Sequence, residues 1–308
     1  MEARGVGSDS LKRFLADNPQ YVGEVYDYSQ LALWDQCHRK YSYRYIDEVS
    51  SKIDPSAIFS TYVMHPVIAA LFQDAVADYA NLIKAGWEQF VLALNKATPM
   101  TAKHQQCYAP NPAYTALLQV EDKTFLLRDT HTFVNTETLY WRTLPNVPDA
   151  IWVSKPDVVL ARKEDGKLVT VEIKTSMYDF TADLNPFDRQ ILSQAWTVEP
   201  IKQIKLFIQF CFDSKSKFGG TIVYPENGPL KPMQPDAILL SEWLAEVEFE
   251  VDAIKRAKQS GVWVKRSPSA CRDFNRDCPM LDLCLVGASR KFLASGMEHD
   301  NPLEYLGL

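Results

Sequence analysis

Asp157, Glu172 and Lys174 are the residues whose types and spacing can do chemistry together. Asp157 follows Pro156, and fourteen residues separate it from the run Glu172-Ile173-Lys174. Residues 151–161 and 167–174 are rich in β-branched side chains, and Asp165-Gly166 between them is a strong hairpin-turn signal. Alternate side chains on a strand share a face, so Glu172 and Lys174 point together while Ile173 points to the core. The hairpin sets Asp157, on its first strand, beside Glu172, late on its second, giving two carboxylates and an ammonium on one side of a sheet. Hard divalent cations favour such oxygens, and Mg²⁺ keeps water while it binds phosphate. A cation held there acts on phosphate as a Lewis acid and lowers the pKa of a bound water. Lys174 beside it can orient or deprotonate that water, or stabilise the charge that develops. A surface hairpin with incidental charges is the plain alternative. The apolar run Val169-Thr170-Val171-Glu172-Ile173 speaks against it, because a buried charge needs a partner.

The elements around the hairpin follow from periodicity. Residues 28–48 read as a helix that Ser29 can cap, with Leu31, Trp34, Cys37 and Tyr41 at helical spacing. Two further helices are expected at about 61–81 and 82–96, with a Pro-rich break at 109–112. Short β-like runs follow at 117–120 and 124–127, and after the hairpin come a helix at 187–198 and strands at 203–212 and 220–224. A long amphipathic helix at 239–260 stops at Gly261. The reading is an α/β or α+β fold, a central mixed β-sheet flanked by helices. Its parts are a helical amino-terminal segment (1–110), a core (111–235), and a long helix with a cysteine-rich tail (236–308) that packs back on the core.

Pro156-Asp157…Glu172-Ile173-Lys174 resembles the motif of the PD-(D/E)XK nuclease superfamily. His65, in Val63-Met64-His65-Pro66, resembles the upstream histidine of the RecB/AddB-like branch, which includes CRISPR-associated exonucleases. Gln190 resembles the glutamine of that branch's downstream Gln-x-x-x-Tyr helix, although Gln194 stands in the tyrosine's place. That departure touches the DNA contact at this helix and leaves the metal site as it is. The segment Ser29-Gln30-Leu31…Cys37-His38-Arg39-Lys40-Tyr41 is similar to the branch's first helix. The order of these pieces across 29–284 makes the combination more specific than any one of them. The resemblance implies a restriction-endonuclease-like core and Mg²⁺- or Mn²⁺-dependent hydrolysis of DNA. It implies catalytic roles for Asp157, Glu172, Lys174 and Gln190, with metal ligands His65, Asp157, Glu172 and the backbone carbonyl of Ile173. It also implies an exonuclease in DNA recombination or repair, often in phage and bacterial systems, acting on linear or single-stranded ends and working with a recombination partner protein. A catalytically inactive DNA-binding or assembly subunit and an endonuclease of the same superfamily are the alternatives. Taken alone, His65 reads as an ordinary helix histidine and Gln190 as a solvent-facing one.

Cys271, Cys278 and Cys284 fall in the pattern C-x6-C-P-x4-C. With Cys37 they supply four thiols, which can hold an iron–sulfur cluster or zinc. The RecB-like branch has one amino-terminal and three carboxy-terminal cysteines around such a 4Fe–4S cluster, and the first spacing here is longer than the usual one. Reduced structural cysteines are the alternative. Cys107 and Cys211 lack partners at ligand spacing, and Cys211 reads as core.

With 308 residues, 46% of them hydrophobic, the chain can bury a real core. It has no apolar run long enough to span a membrane, so no membrane association is expected. Residues 1–10 lack a secretory signal, so the cytoplasm is the expected compartment and a structural disulfide is not expected. A net charge of −6 argues against a broad nucleic-acid face but allows a local groove. Candidate phosphate contacts are Lys155, Arg189, Lys202, Lys205, Lys215 and Lys217, and a second patch at Lys255, Arg256 and Lys258. Solvated charged faces are the commoner reading of such runs. Tyr140 and Trp196 can stack on unpaired bases or pack in the core. No helix-turn-helix, zinc-finger or phosphate-loop pattern occurs, which argues against sequence-specific cleavage and helicase activity.

Overall fold

The computed structural model describes residues 3–50, 55–73, 78–94, 127–176, 188–200, 202–209, 230–233, 236–264, 271–273, 276–286, 298–299 and 301–306, with positions 99, 100, 102 and 105. The chain begins with β1 (Arg4–Val6), α1 (Ser8–Asp17), β2 (Val25–Tyr26), α2 (Tyr28–Gln36), α3 (His38–Tyr45) and β3 (Val49–Ser50). Next come α4 (Pro55–Phe59), a π-helical turn (Ser60–Met64), α5 (His65–Gln73) and α6 (Tyr79–Ala93). Strands β4 (His131–Thr136), β5 (Tyr140–Thr143), β6 (Ile151–Ser154), β7 (Val158–Arg162) and β8 (Leu168–Ser176) precede α7 (Arg189–Val198). The chain continues with β9 (Lys202–Gln209), β10 (Leu230–Met233), α8 (Ala237–Ser260), β11 (Arg272–Asp273), β12 (Arg276–Asp277), α9 (Leu281–Val286) and β13 (Glu298–His299).

These elements form two compact units that share the chain by contact rather than contiguity. One takes 1–52, 139–155 and 236–308, the other 53–138 and 156–235. Each holds a mixed sheet, so the fold is α+β with helices flanking two mixed sheets. In the first unit the order is β1-β5-β6-β2, antiparallel except for β2 beside β6. In the second it is β10-β9-β8-β7-β4, antiparallel except for β8 beside β9. Parallel neighbours need a crossover, and α7 supplies it between β8 and β9. The second unit's core gathers Phe59, Val63, Met64, Val67 and Ile68 from the helices with Val158, Leu160, Val171, Ile173 and Ile204 from the sheet.

Several sequence expectations change at this level. The helix expected over 28–48 breaks at Cys37, whose backbone is extended (φ −169°, ψ 117°), and Asp27 rather than Ser29 caps α2 by accepting from the Gln30 N–H. The stretch 151–161 is not one strand: Lys155-Pro156-Asp157 separates β6 from β7, and the two join different sheets. Pro156 has no N–H for a ladder, so a break there costs little. The helix expected over 61–81 is instead a π-helical turn followed by α5, and the one expected over 82–96 starts at Tyr79. The strands expected at 117–120 and 220–224, most of that at 124–127, the end of 203–212, Cys107, Cys211, Lys215 and Lys217 lie outside the described residues. Tyr140 and Trp196 are buried, which makes them packing residues. In the patch on α8, Lys258 donates to the Gly23 carbonyl and the Tyr26 hydroxyl, Lys255 to the Pro148 carbonyl, and Arg256 pairs with Asp252. Each of the three thus has a partner within its own unit. No helix among the described residues is long and apolar enough to cross a membrane.

Candidate metal centre

The second unit's sheet brings its chemistry to one end. The turn of the β7–β8 hairpin closes through Arg162 N–H to the Lys167 carbonyl (2.9 Å) and Gly166 N–H to the Arg162 carbonyl (2.8 Å). Gly166 adopts φ 72°, which a side chain would resist. Register then pairs Val158 with Val171, which sets Asp157, one residue before β7, beside Glu172. Both carboxylates are buried, and Ile173 turns into the core.

Asp157 is fixed from two sides. Its Oδ2 accepts the Ile173 N–H at 2.5 Å. Its carbonyl accepts the Thr136 hydroxyl (2.6 Å) and the Glu137 N–H (3.2 Å), which ties it to the end of β4. Glu137 sits there with φ 48°, in the left-handed region that a non-glycine residue rarely enters. Such backbone is concentrated at functional positions. Its Oε1 lies 3.4 Å from His65 Nδ1, and that nitrogen lies 3.4 Å from Asp157 Oδ1. His65 opens α5 directly after the π-helical turn, a helix irregularity frequent at functional sites. Gly86 of α6 lets that turn approach: a Cβ on it would collide with the Tyr62 carbonyl oxygen and stand 3.1 Å from Val63 Cα.

The Glu172 side is organised differently. Its Oε1 accepts Lys174 Nζ (2.7 Å) and Gln190 Nε2 (2.5 Å), and its Oε2 accepts Gln194 Nε2 (2.5 Å). Lys174 also donates to Gln190 Oε1. Both glutamines ride on α7, whose first turn Asp188 caps through the Gln190 and Ile191 N–H groups.

Electrostatics separate the two sides further. Burial, with Glu172 nearby, pushes the Asp157 carboxyl up to about 8, against relief from His65 and the Ile173 N–H. Burial works against protonation of His65, but the Glu137 hydrogen bond and the Asp157, Glu137 and Glu172 charges raise it. Burial likewise opposes the charge on Lys174, and Glu172 with Asp157 and Asp188 raises it. The neighbouring carboxylates thus favour the ammonium form of Lys174, which donates to Glu172 and Gln190.

His65, Glu137 and Asp157 each offer a ligand atom, all within 4.8 Å of one another. An imidazole and two carboxylates, beside a third carboxylate, are the donor chemistry of a divalent-cation site. The sequence-derived site residues His65, Asp157, Glu172, Ile173, Lys174 and Gln190 thus converge in one unit, with Ile173 facing Asp157 through its N–H. Glu137 and the direct bond from Gln194 to Glu172 were not anticipated. Nothing local in Thr136-Glu137-Thr138 marks it, since its place depends on a backbone conformation and a long-range pairing.

In the other unit, Cys37 is buried at the head of α3. Cys278 and Cys284 pack against Tyr43 of α3, Val49, Met280 and Leu283. Cys278 N–H donates to the Cys271 carbonyl at 2.8 Å. Burial raises the Cys278 thiol, and the Cys284 and Cys271 thiols add to it. The Tyr43 hydroxyl is pushed up to about 12 by burial and by its contact with Cys284. Among the described residues no three of these sulfurs come within 4.8 Å of one another, the spacing that a single ion needs.

No protein-family model matches the chain, and no curated protein sequence matches it. Among solved structures it is similar to a Eubacterium rectale protein assigned as an exonuclease, at 13% identity and a TM-score of 0.44 over 89% of this chain and 97% of that one. It is similar to SSO0001 at 15% identity and a TM-score of 0.32, covering 74% of this chain and 95% of that one. It is also similar to LHK-Exo, solved with dAMP, at 14% identity and a TM-score of 0.22, covering 67% and 100%.

Proposed function

We propose that the chain is a Mg²⁺- or Mn²⁺-dependent DNA nuclease, an exonuclease of DNA recombination or repair that hydrolyses phosphodiester bonds. The observation that carries this reading is the convergence of His65, Glu137 and Asp157 beside the Glu172–Lys174–Gln190 cluster. His65, Glu137 and Asp157 would hold the cation, with Glu172 and the Ile173 carbonyl as further ligands. When bound, the cation would polarise the phosphodiester and lower the pKa of the attacking water. Lys174, held as an ammonium, would donate to a phosphate oxygen and offset negative charge as the bond to the leaving oxygen breaks. Gln190, which bonds both Lys174 and Glu172, keeps the ammonium beside the carboxylate. Water adds to phosphorus, and the products are a phosphomonoester and a free hydroxyl.

The reading extends to the cysteines. Cys37, Cys271, Cys278 and Cys284 would hold a 4Fe–4S cluster, whose several irons take sulfurs standing further apart than one zinc ion does. Broad visible absorption after anaerobic purification, lost in Cys278→Ser, is the expected result; a colourless, iron-free wild type rejects it.

The deciding experiment incubates the purified protein with linear and closed-circular DNA in Mg²⁺, Mn²⁺ or EDTA, beside Asp157→Ala and Lys174→Ala. Loss of linear DNA that needs the cation and both side chains is expected. Cutting of closed circles would assign an endonuclease instead. DNA binding without cleavage under every condition would assign a non-catalytic DNA-binding or assembly subunit.

A further inference from the structure

We infer that Gln194 is a positioning residue, whose amide aims the remaining acceptor position of Glu172 at the bound cation. The inference rests on the cation site proposed above and concerns how one of its ligands is held.

A carboxylate offers about four acceptor positions, two on each oxygen. On Glu172, Oε1 has both filled, by Lys174 Nζ at 2.7 Å and Gln190 Nε2 at 2.5 Å. Oε2 has one filled, by Gln194 Nε2 at 2.5 Å. Among the described residues one position is left, on the oxygen that Gln194 holds. Gln190 and Gln194 stand one turn apart on α7, on one helix face, so the helix grips the carboxylate by both oxygens.

Packing does not account for Gln194. The side chain is only 1% exposed, and its Oε1 has no hydrogen-bond partner among the described residues. A buried amide left half satisfied opposes folding, and methionine would fill the same space without that cost. What glutamine supplies and methionine lacks is the N–H donor on Oε2. The amide's orientation follows, because the reverse would set its oxygen against the carboxylate.

Gln203 is the natural control. It is equally buried, its Oε1 is likewise without a partner, and its Nε2 donates to the Ile191 carbonyl of the same helix at 2.7 Å. It holds α7 but no ligand carboxylate.

The test is Mn²⁺ titration of the full chain, without DNA, by calorimetry and by the electron paramagnetic resonance of free Mn²⁺. Groups that orient a metal's ligands are worth about 10–100-fold in affinity. Gln194→Met is expected to bind Mn²⁺ about tenfold more weakly, and Gln203→Met to stay within about twofold of wild type. With DNA present, excess Mn²⁺ should restore cleavage by Gln194→Met, because the ligands themselves remain; a general structural defect would not be rescued. The inference is overturned if folded Gln194→Met binds Mn²⁺ as wild type does, or if Gln203→Met loses as much. Should Gln194→Met not fold, Gln194→Asn, which keeps an amide but falls a methylene short, carries the same expectation. Wild-type protein that takes up no Mn²⁺ overturns the cation site itself. Wild-type protein that binds Mn²⁺ yet leaves DNA intact defeats only the nuclease reading.

Discussion

Glu248 in one unit and Asp157 in the other are both buried carboxylates, and the chain treats them in opposite ways. Glu248 receives the backbone N–H and the side-chain Nδ2 of Asn146, each at 2.8 Å, one on each oxygen. Nearby in sequence, Lys258 meets Glu24 at 3.5 Å and lies 4.8 Å from the Tyr26 ring centre. Glu248 and Glu24 thus meet donors from their own unit. Asp157 receives one backbone N–H, faces Glu172, and shares His65 with Glu137. Desolvating a carboxylate without a partner is costly. Glu248 is met by hydrogen-bond donors of its own unit, whereas Asp157 shares one imidazole with Glu137 and lies beside Glu172, a donor set of the kind that divalent cations take.

The largest expected effects break that contrast outright. Asp157→Ala and Lys174→Ala should each cut DNA hydrolysis by at least about 10³-fold, roughly 4 kcal/mol of transition-state stabilisation. Glu248→Ala should instead lower stability by about 1–3 kcal/mol through the orphaned Asn146 donors. It should leave the cation dependence of cleavage unchanged. Initial rates against cation concentration, with a thermal melt of each variant, separate the two. Equal loss of activity in Glu248→Ala would erase the distinction between the carboxylates.

The contrast was only half visible in the amino-acid sequence. Period-two patterning and Asp165-Gly166 suffice for the hairpin, and register along it brings Asp157 to Glu172. Strand alternation then directs Ile173 inward and Lys174 beside Glu172, as Lys174 Nζ to Glu172 Oε1 bears out. What patterning cannot carry is any feature made by a single backbone angle or a distant partner. Glu137 enters the site through a left-handed φ and a hydrogen bond to residue 157. The helix expected through Cys37 has unbroken periodicity, yet the chain extends there. Pro156 marks a break, but not that the strands on its two sides belong to different sheets. Nor does spacing along α7 reveal that Gln194 turns inward to Glu172.

Positioning can be disturbed without touching a charge. Gly86→Ala would drive α6 against the π-helical turn that delivers His65. A clash of this kind costs about 1–3 kcal/mol. The expected result is a lower melting temperature together with a higher Mn²⁺ requirement. A variant that loses stability and keeps wild-type Mn²⁺ affinity would separate the turn from the site.

Glu137 offers a narrower cut. It is the most exposed of the three ligand-bearing side chains, so solvent already screens part of its charge. Glu137→Ala should weaken Mn²⁺ binding about tenfold, near 1.4 kcal/mol, while Asp157→Ala abolishes it. Calorimetric titration of both variants ranks them. Tighter binding in Glu137→Ala would mean that this carboxylate only raises the proton affinity of His65.

The smallest effect has the most telling sign. The Asp157 carboxyl is held at about 8 against an ordinary 3.8. Between those values the folded, cation-free protein keeps a proton that the unfolded chain has released, so stability falls as pH rises from about 4 to about 8. Asp157→Asn carries no charge to desolvate and should flatten that slope. At pH 8 in EDTA it should melt higher than wild type. Adding Mn²⁺ should reverse the order, because only the wild type gains by binding it. Melting curves at pH 5 and pH 8, with Mn²⁺ and with EDTA, read all three effects. If Asp157→Asn melts lower than wild type in EDTA at pH 8, Asp157 is as well satisfied by the chain as Glu248 is. The difference between the two carboxylates would then not exist.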